Sequence, residues 1–146
     1  MNYLKACCDA FLFYKVNRED MIGTKILSVQ EKYYIADQGI RNAVYGNNER
    51  DIDQSLENIV YMELLRKGYT ITIGNKEIDF IATRRNEKIY VQVTYLFASR
   101  EVVDREFNAY NRIHDNYPKY VISMDDIDRS QNGIIHLNIC DFLLNL

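Results

Sequence analysis

Two acidic residues, Glu57 and Asp79, are the side chains of this sequence best suited to bind a divalent metal ion. Asp79 lies in the apolar run 77–82, and the next such run carries Gln92 and Thr94 two positions apart. Carboxylates bind hard cations such as Mg²⁺, and a nearby positive group stabilises the charge that develops on a phosphate during hydrolysis. Gln92 offers only a neutral oxygen, and Thr94 offers no positive charge. The pattern therefore predicts a site too poor in charge for efficient phosphodiester cleavage.

A long amphipathic helix must position Glu57. Apolar residues recur at helical spacing over residues 52–64, Asp51 or Asp53 can begin the helix, and Gly68 can end it. Glu57 is expected beside the apolar stripe, where a packed helix would hold its carboxylate over a sheet. The alternative is a surface role, in which Glu57 forms an ion pair of small energetic value with a basic residue: Arg66, Lys67 or Arg105.

A three-stranded meander must position Asp79, Gln92 and Thr94. The apolar pattern changes to a period of two, and the strands are expected at residues 69–73, 77–82 and 88–94, with turns at 74–75 and 85–86. On the middle strand, Asp79 is expected on the face opposite to three apolar residues: Ile78, Phe80 and Ala82. The three polar side chains are then expected together at one edge of the sheet. The alternative is structural, with Asp79 as a cap or ion-pair partner and Gln92 as a strand amide.

A second helix and two more strands complete this part of the chain. Ser99 can cap the helix, with Val103, Phe107 and Tyr110 on its buried side. The later elements are a strand at 119–123, a strand at 134–139 and a helix at 141–146. The order helix, meander, helix, strand predicts an α/β sandwich in which helices cover a mixed sheet.

The first 46 residues have a different pattern. The expected elements are a helix at 2–11 and strands at 11–16, 25–29 and 32–35. Asp37 can cap a further helix that ends at Gly46. A helix that leads into a β-ribbon is typical of the second half of a winged-helix module. The polar loop at 47–53 is the expected boundary between two regions, residues 1–46 and residues 47–146.

Composition and charge exclude several classes of protein. Of 146 residues, 47% are hydrophobic and 27% are charged, which is the balance of an ordinary globular domain. The 18 basic and 21 acidic residues give a net charge of −3, so any contact with nucleic acid must be local. No segment is apolar enough to span a bilayer, and the three cysteines lack the spacing of a zinc site or a redox pair. We expect a cytoplasmic protein with reduced thiols.

Seven short segments of the sequence carry a family resemblance. They are KYYIAD (32–37), LENIVY (56–61), RKGY (66–69), EIDF (77–80), IYVQV (89–93), REF (105–107) and DNYPKY (115–120). Taken in order, they resemble the C-terminal region of a large family of prokaryotic AAA-type ATPases. In that family a nucleotide-binding domain comes first, a winged helix follows and an uncharacterised nuclease-like domain ends the chain. The resemblance extends from Leu4 to Leu144.

The resemblance implies a restriction-endonuclease-like fold, a mixed sheet flanked by helices, preceded by a partial winged helix made of a helix and a β-ribbon. In PD-(D/E)xK nucleases a carboxylate on one strand and an acid-x-lysine triplet on the next hold magnesium against the phosphate. Asp79 matches the first position, but Gln92 and Thr94 stand in place of the acid and the lysine. The sequence has no Gly-x-x-x-x-Gly-Lys-Ser/Thr loop, so ATP is expected only in the N-terminal ATPase domain of a longer parent chain, which would be a partner of this region.

Three functional hypotheses follow from these observations. The first is a catalytically inactive nuclease-like domain that recognises nucleic acid or a protein partner. The second is a Mg-dependent nuclease with an atypical site, in which Glu57 and Asp79 would bind the metal. The third is a structural domain that serves assembly or regulation of the ATPase and has no cofactor of its own.

Two groups of basic residues are the candidates for contact with nucleic acid. Three of them lie near the expected wing: Lys5, Lys15 and Arg18. Three more lie at the tip of a hairpin: Arg84, Arg85 and Lys88. Basic side chains contact phosphates, and Tyr14 or Tyr90 would stack on bases. A solvated turn is the alternative interpretation of these charges.

Overall fold

The computed structural model of the protein describes residues 3–20, 25–46, 51–74 and 78–145. Within these ranges the protein is a mixed α/β structure with two sheets and five helices. The helices are α1 (Tyr3–Asp9), α2 (Gln38–Tyr45), α3 (Ile52–Arg66), α4 (Arg100–Asn108) and α5 (Ile139–Asn145). The strands are β1 (Phe13–Asp20), β2 (Lys25–Ile35), β3 (Thr70–Thr72), β4 (Phe80–Arg84), β5 (Glu87–Val93), β6 (Lys119–Ser123) and β7 (Ile134–Asn138). No helix in this part of the chain has the length and apolar character needed to cross a membrane.

Five strands form the main sheet in the order β3-β4-β5-β6-β7. The first three are antiparallel to one another, whereas β6 runs parallel to β5 and β7 parallel to β6. The β4-β5 hairpin turns at Arg85, whose φ of 54° lies in the left-handed region that a tight turn requires. Phe80 lies opposite Val91 in this register, so the residue before β4 lies beside the C-terminal end of β5.

The strands β1 and β2 form a separate antiparallel ribbon at the β3 edge of the main sheet. The N–H of Glu19 donates to the oxygen of Ile73 (2.8 Å), and the N–H of Ile73 donates to the oxygen of Asn17 (3.0 Å). A second attachment involves α3, where the buried Asn58 accepts from the N–H of Ile35 (2.8 Å) and donates to its oxygen (2.9 Å). The ribbon is therefore held by both the sheet and α3.

Two clusters of buried side chains lie on opposite faces of the main sheet. One cluster joins the ribbon, α3 and α5 to the sheet, and its members include Val16, Tyr34, Val60, Phe80 and Phe142. The other joins α4 to the sheet, and its members include Ile81, Tyr90, Phe107, Tyr110 and Val121. Neighbouring residues of β4 enter different clusters because strand side chains alternate between faces. Residues on both sides of the polar loop at 47–53 contribute to the first cluster.

The helix ends predicted from the sequence are confirmed at three places. Asp37 accepts a hydrogen bond from the N–H of Gly39 (2.6 Å) and begins α2, and Ser99 accepts one from the N–H of Val102 (3.4 Å) and begins α4. Gly46 ends α2 with a φ of 74°, a conformation that favours glycine. Capping side chains accept hydrogen bonds from free backbone N–H groups a few residues away, so they can be predicted from the local sequence.

Two strand predictions are wrong in detail. The expected short strands at 25–29 and 32–35 form one continuous strand, β2. Ile78 packs with Ile81 rather than with Phe80, because β4 begins only at Phe80 and the alternation of a strand does not extend back to Ile78. The sequence pattern therefore predicts the presence of extended structure correctly, but not where each strand begins and ends.

The boundary between the last strand and the last helix also differs from expectation. The last helix begins at Ile139, whereas the sequence predicts a start at residue 141. The preceding strand ends at Asn138, one residue before the predicted end at 139. The predicted turn at 74–75 and the predicted boundary loop at 47–53 lie partly outside the described residues.

Candidate functional site

The start of β4 and the end of β5 bring Asp79 and Gln92 into direct contact. The N–H of Asp79 donates to Gln92 Oε1 (3.1 Å), and the N–H of Val93 donates to Asp79 Oδ2 (2.9 Å). Glu57 and Thr94 line the same cavity of about 680 Å³, hereafter the carboxylate cleft. Its other polar lining residues are Asp53, Arg105, Glu106, Asn108, Asn111 and Arg112. The structure thus brings together the four residues that the sequence singled out.

Glu57 reaches the carboxylate cleft from α3 and is held there by two residues of β2. The Lys32 amine forms an ion pair with Glu57 Oε1, and the Tyr34 hydroxyl donates to the same oxygen (2.5 Å). Lys32 and Tyr34 are two positions apart, so they share one face of β2. Burial, followed by the charge of Glu57, raises the pKa of Tyr34 far above its usual value, and the hydroxyl therefore stays protonated as a donor.

The surface partners that the sequence suggested for Glu57 pair with other acids. Arg66 and Lys67 form ion pairs with Glu63 (2.6 and 3.0 Å), and Arg105 forms one with Glu106 (2.5 Å). Lys32 has no sequence signal for this role, because its contact with Glu57 joins elements 25 residues apart. The positive charge beside the carboxylates therefore comes from the ribbon and not from position 94.

The Asp79 carboxyl has an unusual protonation equilibrium. Burial raises its pKa to about 7, and the charge of Glu57 adds to that effect, while the Val93 N–H and the Lys32 charge act in the opposite direction. The two raising effects favour the neutral carboxyl over the carboxylate. Because a metal ligand must be deprotonated, a cation at Asp79 would bind in competition with this proton.

Glu106 is a further carboxylate of the cleft that was not predicted from the sequence. It is only 3% exposed, it accepts from Gln92 Nε2 at Oε2 (2.8 Å), and Arg105 donates to Oε1 (2.5 Å). Gln92 therefore bridges the backbone of Asp79 and the side chain of Glu106. The signal was present in the sequence, because Glu106 follows Val103 by three residues on the apolar side of α4.

The donor set of the cleft does not fit Mg²⁺ in this arrangement. Glu57 and Glu106 already pair with protein cations, and burial together with the charge of Glu57 raises the pKa of Asp79 and so favours its neutral form. Thr94 is buried, and its N–H continues the strand ladder by donating to the oxygen of Ile122 (3.0 Å). Among residues 3–20, 25–46, 51–74 and 78–145, no three His, Cys, Asp or Glu side chains are grouped so as to hold a metal ion.

The predicted basic residues of the wing have acidic or buried surroundings. Lys5 forms an ion pair with Asp9 (2.7 Å), and Lys15 forms one with Glu31. Arg18 is half-buried in the ribbon, and its Nε is buried without a hydrogen-bond partner among the described residues. Ion pairing reduces the charge that these side chains present to a phosphate.

The predicted basic residues of the hairpin are similarly occupied. Arg84 pairs with Glu87 (2.8 Å) and lies over the ring of Tyr69, with the guanidinium carbon 4.6 Å from the ring centre. Lys88 lies 4.8 Å from the ring centre of Tyr90, and Arg85 is exposed at the turn. Tyr90 is buried, so base stacking on it, as predicted, is not supported by the structure.

A basic and amide-rich rim borders the carboxylate cleft on the side of α4. Arg105, Asn108 and Arg112 recur at intervals of three and four residues and line the cleft together. The Arg105 side chain is 71% exposed while its guanidinium contacts Glu106. Arginine and amide side chains are common donors to phosphate oxygens. The sequence does not indicate this rim, because Arg105 lies between two acidic residues, Asp104 and Glu106.

A Ser-His pair elsewhere in the molecule does not form a nucleophile and its base. Ser123 Oγ lies 2.9 Å from His136 Nε2, and His136 Nδ1 accepts the N–H of Arg129 (3.2 Å). Burial lowers the pKa of His136, so the ring is neutral and its one proton is on Nε2. Nε2 therefore donates to the hydroxyl and cannot remove its proton. The pair is a buried structural hydrogen bond.

Comparison with known proteins gives one informative relative. No family model matches this chain, and no solved structure matches it. The chain is 37% identical over 148 residues to an uncharacterized protein of Haemophilus influenzae. That match covers 97% of this chain but 36% of the relative, so the chain spans about a third of the length of the protein it matches.

Proposed function

We propose that this chain is a restriction-endonuclease-like domain of a longer AAA-type ATPase and that it recognises nucleic acid without cleaving it. The fold supports this proposal, because α3, the antiparallel meander β3-β4-β5, α4 and the parallel β6 follow one another in the order expected for such a domain. The length of the Haemophilus influenzae relative is consistent with further domains in proteins of this kind.

The observation that carries the proposal is the state of three of the four carboxylates in the cleft, those of Glu57, Asp79 and Glu106. Lys32 and Tyr34 hold Glu57, whereas Arg105 and Gln92 hold Glu106. A hydrogen bond to a charged group contributes about 1.5–3 kcal/mol. A divalent cation would have to replace several such bonds and compete with protonation of Asp79. Two of the carboxylates, Glu57 and Glu106, already have a protein cation as partner.

The rim on α4 supports contact with nucleic acid over contact with an acidic protein surface. Arg105 and Arg112 flank Asn108 along the mouth of the cleft, and such a row of donors suits successive phosphate oxygens. The net charge of −3 and the ion-paired wing limit the number of phosphates that the domain neutralises. We therefore expect weak binding of nucleic acid with a small dependence on salt. Stacking of bases should contribute a large share of the binding free energy.

Cleavage and binding assays on matched variants test the proposal. The chain, Asp79→Ala, Gln92→Glu and the double variant Gln92→Glu/Thr94→Lys are each incubated with single-stranded and duplex DNA, with and without Mg²⁺. We expect the unmodified chain to bind DNA in EDTA and to cleave none. Thr94 is buried and Gln92 donates to the buried Glu106, so the circular dichroism and the melting temperature of Gln92→Glu and of the double variant must both be measured.

Two outcomes would contradict this function. Mg²⁺-dependent cleavage by the unmodified chain that is lost in Asp79→Ala would show an active nuclease. Absence of DNA and RNA binding at low salt would remove nucleic-acid recognition and leave the role in assembly or regulation of the ATPase. Appearance of cleavage only after Gln92→Glu or the double variant would support an inactive site that has lost its charge.

A second candidate is a Mg-dependent nuclease whose charged groups come from other elements. It is favoured by one observation, the presence of Lys32 and Glu106 beside Glu57 and Gln92. They place an amine and an acid near the positions where the nuclease pattern lacks them. This candidate requires cleavage by the unmodified chain that is abolished by both Lys32→Met and Glu106→Gln. Retention of cleavage in either variant would contradict it.

A further inference from the structure

A second cavity lies next to the carboxylate cleft, and Glu57 lines both. It has a volume of about 430 Å³ and is bordered by β2, α2 and α3. Four aromatic residues line it, Phe13, Tyr33, Tyr34 and Tyr45, and we call it the aromatic pocket. Tyr45 is 82% exposed at the end of α2, so one face of its ring is open to a ligand. The volume lies within the range typical of small-molecule sites.

Gln38 is the unusual polar residue of the aromatic pocket. Its Nε2 and Oε1 are both buried and have no hydrogen-bond partner among the described residues. The side chain belongs to the wall between this pocket and a neighbouring apolar hollow that Met62 and Leu143 also line. Buried polar atoms without partners are rare in folded proteins, and each is costly to leave unsatisfied. A planar ligand that offers one donor and one acceptor would remove that cost after a small rotation of the amide.

The wall of the aromatic pocket also carries two cations. Arg41 contacts Asp51 (2.9 Å), and Lys32 contacts Glu57 with one of its three N–H groups while 43% of its side chain stays exposed. The ammonium of Lys32 therefore retains donors for a phosphate oxygen near the boundary between the two cavities. Rings, an unsatisfied amide and a cation in one pocket are the three features that recognise a nucleotide.

We propose that the aromatic pocket binds one unpaired nucleobase, with Tyr45 against its face, the Gln38 amide at its edge and Lys32 at its phosphate. The inference rests on the proposed function, since it names the element of nucleic acid that the domain recognises. A glutamine amide pairs with the N6 and N7 of adenine through one acceptor and one donor, so adenine is the expected base. A base stacked inside a duplex cannot enter such a pocket, and the ligand is therefore single-stranded.

The test measures binding of fluorescein-labelled (dA)10, (dT)10 and a DNA hairpin to the full chain by anisotropy, with AMP as a competitor. We expect tighter binding of (dA)10 than of (dT)10 and little binding of the hairpin. Tyr45→Ala should weaken binding of (dA)10 about tenfold or more, because one stacking contact is lost. Tyr117→Ala is the matched control, since Tyr117 is 45% exposed and lines a different cavity.

Gln38→Leu separates recognition from structure. Leucine has a similar size and no polar atoms, so the variant should melt at a higher temperature than the unmodified chain while it binds (dA)10 about tenfold more weakly. It should also lose the preference for (dA)10 over (dT)10. A residue with a purely structural role would not change the base preference.

The outcomes distinguish failure of the pocket from failure of the proposed function. Unchanged (dA)10 binding in both Tyr45→Ala and Gln38→Leu would overturn the pocket and leave nucleic-acid recognition intact. Binding of AMP but of no oligonucleotide, with loss in both variants, would support the pocket as a free-nucleotide site and overturn the proposed function. Absence of all binding by the unmodified chain would overturn both.

Discussion

Glu57 lines two cavities, and the polar groups of these cavities differ in whether they have hydrogen-bond or ion-pair partners. In the carboxylate cleft, Glu57 and Glu106 each contact a protein cation, and the Asp79 carboxyl accepts a backbone N–H. In the aromatic pocket, the amide of Gln38 is buried with neither of its atoms hydrogen-bonded to a described residue. The carboxylates of the first cavity have little to gain from a metal ion, whereas the second cavity has at its wall a donor and an acceptor without a partner among the described residues.

The difference shows that conspicuous residues do not always mark the site of binding. Carboxylates in a cleft attract attention as metal ligands, but their partners decide whether they are available. A single glutamine is inconspicuous in a sequence, but an amide without partners among residues 3–20, 25–46, 51–74 and 78–145 makes Gln38 a candidate for recognition. Both conclusions depend on β2, because Lys32 and Tyr34 of that strand hold Glu57 between the cavities.

The largest expected effect comes from the residue that fixes the wall of both cavities. Asn58→Leu removes both hydrogen bonds that the buried Asn58 side chain makes to the backbone of Ile35. We expect the free energy of unfolding to fall by about 2–4 kcal/mol, measured by urea denaturation. Asn108→Ala on the exposed rim is the control and should change it by less than about 0.5 kcal/mol. Equal effects of the two changes would show that the ribbon is not held through Asn58.

The next effect is a pH dependence that belongs to the cleft alone. The folded protein holds the Asp79 proton up to a pKa of about 7, while the unfolded chain releases it near 3.8. Between these values the unfolded state has bound fewer protons, so rising pH favours unfolding, and the effect is complete above pH 7. Relative to Asp79→Asn, the unmodified chain should lose about 2 kcal/mol of stability between pH 5 and pH 7. A constant difference between the two proteins across that range would contradict the raised pKa.

A smaller effect tests the electrostatic coupling inside the cleft. Glu57→Gln removes the charge that helps to raise the pKa of Asp79, so that pKa should move down toward 3.8. The measurement is a carbon-13 titration of side-chain carboxyls by NMR. Glu87→Gln on the exposed hairpin is the control and should leave Asp79 unchanged. An upward movement in Glu57→Gln would mean that loss of the Lys32 contact outweighs loss of the charge.

The smallest expected effect concerns the rim on α4. Arg105→Gln and Arg112→Gln should each lower the slope of log K against log salt concentration for DNA by about one. Arg105→Gln should also lower the stability, because it removes the cation beside the buried Glu106 carboxylate. Arg84→Gln at the hairpin is the control, since Arg84 is engaged with Glu87 and Tyr69. A larger change in slope for Arg84→Gln than for the rim would restore the hairpin as the nucleic-acid surface.

Local signals explain which parts of the fold were predictable from sequence. Asp37 and Ser99 begin helices through contacts within three residues, and the turn at Arg85 follows from alternation on both sides of it. The convergence of Asp79 and Gln92 also follows from strand pairing between adjacent segments. Such features depend on neighbours in the chain, so pattern and residue type are sufficient to find them.

The remaining features of the site depend on contacts between distant segments. Lys32 meets Glu57 because the ribbon packs on α3, and no local pattern announces such a contact. The pKa of Asp79 arises from burial and from a charge on another element. Gln38 is unusual only because its amide atoms are buried without a hydrogen-bond partner in the described part of the chain. The ion pairs and protonation of the site residues therefore depend on tertiary packing, whereas the place where Asp79 and Gln92 meet could be predicted from the sequence.

The attachment of the ribbon to β3 has a consequence for handling shorter versions of the chain. β3 has only three residues and is the outermost strand on its side of the sheet. The Asn17–Ile73 and Glu19–Ile73 hydrogen bonds cover backbone groups that would otherwise be open to another molecule. Removal of residues 1–46 would uncover that edge together with apolar side chains of α3, and exposed strand edges promote aggregation. The N-terminal ribbon thus protects the solubility of the sheet that follows it.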